Sequence, residues 1–203
     1  MAAEAGKTAA GSGPAPAPAS AVSRTALVVA GLHVDVYGLS ELPAGATAVS
    51  CLWLHHPRLK KKEDMAETAQ RMLTAYGARR PQNRGLIAVA FDQRNHGTRL
   101  ADPRANQSWK KGNPTHAQDM FGMVSGMMVD NIHLIDSLEG YLFGAGGGAG
   151  ARAEGAGGGA RQIDQHLVLG ISLGGHSAWQ LLFAEPRVTA GVIVIGCPDY
   201  MRK

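Results

Sequence analysis

The segment LGISLGGHSAW, Leu169 to Trp179, sets Ser172 between two glycines as Gly170-Ile171-Ser172-Leu173-Gly174. An apolar run stands before it and a helix-like run after it. A G-x-S-x-G pattern at a strand-to-helix turn mounts a serine nucleophile. The spacing has a steric cause: side chains two residues to either side of the serine would collide where strand and helix approach. The Leu173 N–H, first in the helix, then points toward the place where an oxyanion develops.

A serine hydroxyl near its normal pKa needs a base. The chain runs only 31 residues past Ser172 and contains one more histidine, His176, one turn into the helix after the serine. His176 is expected to pack or hydrogen-bond there rather than face Ser172, and His166 lies toward the far end of its strand. Asp199 is the one plausible acid downstream, at a strand end. The run Gly155-Ala156-Gly157-Gly158-Gly159-Ala160 matches G-x-G-x-x-A, but it follows a helix and leads into a strand. A dinucleotide fingerprint needs the opposite order, so no cofactor is expected. Cys51 and Cys197, the only two cysteines, each fall in a strand expected to be buried. They read as small packing residues, and no metal site is expected.

The elements that must hold these residues alternate. TALVVAGLHVDVYGL (25–39) reads as two strands around Gly31, or one bent strand. ATAVSCLWLHH (46–56) and GLIAVAFD (85–92) read as strands buried on both faces. EDMAETAQRMLTAYG has apolar residues at helical spacing. Residues 118–142 form a long helix with Met120, Met123, Val124, Met127, Met128, Ile135, Leu138 and Leu142 on one stripe. QHLVLGIS, LGGHSAWQLLFAEP and AGVIVIGCPD then read as strand, helix, strand. Such alternation predicts an α/β fold with a mostly parallel sheet and flanking helices. Ligands collect at the carboxyl ends of such strands, and His55, His56, Asp92–Gly97, Ser172 and Cys197–Asp199 all sit there.

The 203 residues suit one domain, 23–203, preceded by an Ala/Pro/Ser-rich stretch (1–22) expected to be disordered. The Gly/Ala insert 144–160, with nine of the 27 glycines, is expected to be disordered too. The net charge is +4, and the densest basic cluster, Arg58 with Lys60, Lys61 and Lys62, has no interleaved aromatics. It reads as a solvated loop, not a nucleic-acid surface. There is no signal-peptide core, and no apolar run approaches the ~20 residues of a membrane span. A cytoplasmic protein is expected.

Four segments together resemble the α/β-hydrolases, in particular a group of fungal members: WLHHPR, AFDQRNHGTR, GISLGGHSAW and IGCPDYM. The resemblance covers about Thr25 to Asp199 and corresponds to the N-terminal two-thirds of the family. It implies a serine hydrolase, esterase- or lipase-like, acting on a small-molecule acyl substrate through Ser172. It implies Leu173 as one oxyanion donor. The second follows the third strand, and a His56-Pro57-Arg58 register gives the Arg58 N–H. A register one residue earlier would put Pro57 there, which has no N–H. By resemblance, the segment Asp92-Gln93-Arg94-Asn95-His96-Gly97 is structural. A minority of the family places the acid where Asp199 stands. The last two strands and the catalytic histidine are expected to be missing, which would leave the apolar edge GVIVIG open to self-association.

Overall fold

The computed structural model describes residues 21–79, 83–144 and 161–199. Six strands form one sheet in the order β1-β2-β4-β3-β5-β6: β1 (Arg24–Val29), β2 (Leu32–Tyr37), β3 (Ala48–His55), β4 (Arg84–Phe91), β5 (Gln162–Ile171) and β6 (Val188–Val194). β1 and β2 form a hairpin whose turn, Ala30-Gly31, has positive φ at both residues (49° and 81°), the conformation that two-residue hairpins favour. β2 pairs antiparallel with β4, and β4, β3, β5 and β6 run parallel. The fold is thus α/β, with a mostly parallel sheet and flanking helices. The expectations for residues 1–20 and 145–160 lie outside the described residues.

The period-2 pattern of the central strands decides which helix covers which face. Val49, Cys51 and Trp53 of β3 and Ile87, Val89 and Phe91 of β4 share one face with α2 (His116–Phe143) and α3 (Leu173–Ala184). Leu52, Leu54, Ala88 and Ala90 face the other way, onto Ala69 and Leu73 of α1 (Ala66–Gly77). The methionine stripe of α2 is core: Met123 and Met127 are buried, and Met120 and Met128 pack partly against the clusters.

Two expectations need correction. Lys62 is not solvated. Its side chain is 7% exposed and its Nζ lies 3.0 Å from Asp35, which also pairs with Arg24 at 2.9 Å. Glu63 closes the cluster on Lys62. Ion pairing of this kind is what allows a buried lysine to stay charged. Burial acts to lower its pKa, but the pairs with Glu63 and Asp35 outweigh it and raise the value. Cys197 is exposed, unlike the buried Cys51. β6 ends at Val194, where its partner β5 ends at Ile171, and Ile195 turns away with φ 58°.

β6 has only one strand neighbour among the described residues, and Val192 and Val194 are 53% and 40% exposed. No helix among the described residues is long and apolar enough to cross a membrane.

Candidate active site

The strand order reverses at β3, since the chain passes from β3 to β4 on one side and returns to β5 on the other. Crevices for ligands form at such switch points, outside the carboxyl ends of the strands. Ser172 stands there, between β5 and α3, with φ 55° and ψ −115°. Few non-glycine residues adopt positive φ, and the cost is of order 1–3 kcal/mol. The neighbours hold it. The Ser172 N–H donates to Val194 O at 2.8 Å, and its carbonyl accepts from the N–H groups of Gly175 (2.8 Å) and His176 (3.2 Å).

The two flanking glycines have the steric role expected of them. A Cβ on Gly170 would meet the Gly174 carbonyl carbon at 2.6 Å and Ala178 Cβ at 2.7 Å. One on Gly174 would meet the His55 carbonyl carbon at 2.5 Å and His56 O at 2.7 Å. The elbow therefore rests directly on the end of β3. Because the backbone strain at Ser172 serves no packing purpose, Ser172→Gly should raise thermal stability, by about 1 kcal/mol after the extra chain entropy of glycine. An unchanged or lowered unfolding midpoint would show that no strain is stored there.

His55 and His56 are both fully buried. Burial pushes each imidazole down to about 4, against weaker opposing hydrogen bonds. His56 Nδ1–H donates to Pro57 O at 2.8 Å and its Nε2 accepts the Gln93 N–H at 3.0 Å, while the Gln93 amide donates to His56 O. His55 reaches Ser177 Oγ at 2.9 Å through Nδ1 and Asn131 at 2.7 Å through Nε2. Neither Asn131 nor Ser177 stood out in the sequence. The signal was there: each is a lone polar residue on an otherwise apolar helix stripe, Asn131 between Met127 and Leu134, Ser177 between Gly174 and Leu181.

The Asp92–Gly97 segment is committed to holding loops. The Asp92 carboxylate accepts the N–H groups of Lys62 (2.8 Å) and Thr98 (2.9 Å) and the Thr98 hydroxyl (2.9 Å). Gly97 has φ 51°, and a Cβ there would fall on that carboxylate. Arg94 and Arg99 both pair with Asp130, at 2.9 and 2.8 Å. Burial acts to raise the Asp130 carboxyl, and the two arginines together hold it below the usual range. His96 Nδ1 bonds Arg94 O.

His176 turns its Nδ1 to the main chain of Cys197, and Asp199, two residues on, is exposed. His166 bonds Trp53 within the sheet. Among the described residues no imidazole is hydrogen-bonded to Ser172 Oγ. Nor does the N–H of Leu173 or of Arg58 donate to a protein acceptor among them.

No protein-family model and no curated protein matches the sequence. Solved structures do match in shape. TT1662 from Thermus thermophilus superposes with a TM-score of 0.58 at 21% identity, over 90% of this chain and 60% of that one. The likeness is one of fold, a mostly parallel α/β sheet with flanking helices. Two further structures match at lower TM-scores. The epoxide hydrolase VrEH1 from Vigna radiata matches at TM-score 0.44 and 15% identity, over 85% of this chain and 38% of its own. The proline iminopeptidase-related protein TTHA1809, also from Thermus thermophilus, matches at 0.47 and 15%, over 86% and 45%. The chain thus spans about 60% of the length of TT1662. Ser172 occupies the strand-to-helix turn after β5, and the β3 end lies against it.

Proposed function

We propose that this chain carries the nucleophile half of a serine hydrolase, esterase- or lipase-like, in which Ser172 attacks a small-molecule acyl substrate. The observation that carries the reading is the elbow: a serine at φ 55° held between two glycines whose Cβ positions are occupied by backbone. Leu173 and Arg58 supply the oxyanion donors. Their N–H groups have no protein acceptor among the described residues, and Pro57 has no N–H to offer. Asp199 is the acid. The reading calls for a histidine base to complete the set, in the chain order serine, acid, histidine. No cofactor takes part. We assign the protein to the cytoplasm, and propose self-association through the apolar outer edge of β6. Sedimentation should then show a dimer that a Val192→Lys substitution disperses; a monomer at all concentrations would refute the contact.

The commitment of the imidazoles to other partners favours a second reading, a non-catalytic binding protein on the same fold. A fluorophosphonate probe separates the two. Labelling at Ser172 is expected at roughly 10³-fold over background, the residual that an oxyanion hole and binding leave when a triad member is absent. Ser172→Ala should abolish it. No labelling, or labelling that survives Ser172→Ala, favours the binding protein.

A further inference from the structure

Beneath the elbow, three buried polar side chains from three elements meet. Asn131 lies on α2, His55 ends β3 and Ser177 lies on α3, and each is fully buried. Their hydrogens can be counted. Ser177 has one hydroxyl proton, and Oγ lies 3.0 Å from Gly174 O, which can only accept. With that proton on Gly174 O, Ser177 Oγ must accept from His55 Nδ1, so Nδ1 carries the hydrogen. A buried neutral imidazole has one N–H, which leaves His55 Nε2 as a bare lone pair. The group 2.7 Å from it is the Asn131 side-chain amide, with Oδ1 inward, while Asn131 Nδ2 is buried with no partner. Two acceptors cannot face each other at that distance. A half-turn of the amide puts Nδ2 against Nε2 and leaves Oδ1 as the unpartnered atom, an acceptor, which buried structure tolerates better than an orphaned donor. The reverse arrangement, with Nε2–H donating to Oδ1 and Ser177 donating to Nδ1, leaves that buried NH₂ orphaned.

We propose that Asn131, His55 and Ser177 form a directed hydrogen-bond chain, Asn131 Nδ2–H to His55 Nε2, His55 Nδ1–H to Ser177 Oγ, and Ser177 Oγ–H to Gly174 O, that positions the turn bearing Ser172. These are positioning residues. Their importance for catalysis rests on Ser172 being the nucleophile. The chain ends on the carbonyl of the glycine that packs against His55 and His56, so side chain and main chain of β3 grip the same peptide. It links α2 to the elbow across 46 residues of sequence, Asn131 to Ser177, through groups that water does not reach. A dry hydrogen-bond chain of this kind favours one geometry, because each link sets the direction of the next.

The test uses the 203-residue chain and imidazole ¹⁵N spectra, with the His55 signal assigned by its loss in His55→Gln. At neutral pH the expected species is Nδ1–H with Nε2 unprotonated; an Nε2–H tautomer would overturn the proposal. With the ring neutral, an ionised carboxylate in Asn131→Asp offers only acceptors, so the ring turns to Nε2–H and Ser177 swings from Gly174 O to Nδ1. Ser177→Ala cuts the last link directly. In both variants the amides of Gly175 and His176 should exchange about fivefold faster, the scale of one net hydrogen bond. Unchanged exchange in a folded Ser177→Ala protein would refute positioning, and that variant carries the test if Asn131→Asp does not fold. Neither measurement requires Ser172 to react. An unlabelled Ser172 therefore refutes the hydrolase reading without touching this one.

Discussion

Gly174→Ala is expected to destabilise the protein by about 3 kcal/mol or more and to abolish fluorophosphonate labelling. The added methyl would sit 2.5 Å from the His55 carbonyl carbon and 2.7 Å from His56 O. Both atoms belong to the backbone at the end of β3, the strand held between β4 and β5 by parallel ladders on each side. A flexible side chain could step aside; a central strand cannot without breaking those ladders. Gly170 faces the same approach from the other side, so the helix has no free direction to retreat. Gly122→Ala is the matched control. Gly122 is exposed on α2 with nothing within 4 Å of the added carbon, and there alanine should stabilise by up to about 1 kcal/mol. Urea midpoints for the two variants check the claim. If Gly174→Ala falls within about 1 kcal/mol of Gly122→Ala, the elbow is not sterically locked.

The locked elbow was legible because its requirement is local. Gly170, Ser172 and Gly174 lie within five residues, with a strand before them and a helix after. The sheet was legible for a similar reason, since continuous apolar runs such as residues 48–55 and 84–91 admit few alternatives to buried strands. What failed to show was long-range. A run of Lys60, Lys61 and Lys62 reads as solvent-facing until Asp35, on a strand 27 residues upstream, is folded over it. His55 finds Asn131 and Ser177 at separations of 76 and 122 residues, and no spacing rule covers such distances. The end of β6 was misplaced because its length is set by its partner. The apolar run continues through Ile195 to Cys197, but β5 has already turned into the elbow.

Stability should fall steeply between pH 6.5 and 4.5, by about 2 kcal/mol for each of His55 and His56. Both imidazoles titrate near 4 in the fold because burial disfavours their charged forms, against an ordinary value of 6.5. Between those values the unfolded chain binds protons that the folded protein refuses. Protonation therefore draws the equilibrium toward the unfolded chain as pH decreases, and the loss levels off below about 4. His96, lowered by burial and in edge-to-face contact with His56 at 5.3 Å, acts in the same direction. The depressed carboxyls act elsewhere. Glu185, held at about 2 by Arg187, and Asp130, held down by its two arginines, lose their contribution only as pH falls below the ordinary carboxyl range. The interval from 6.5 to 4.5 thus isolates the imidazoles. Urea denaturation at half-unit steps should give a slope that His56→Asn clearly reduces, with His55, His96 and His166, all lowered by burial, supplying the rest. A flat profile would mean that these two rings reach solvent, and the dry contact between β3 and the elbow, on which Ser172 depends for its position, would have to be abandoned.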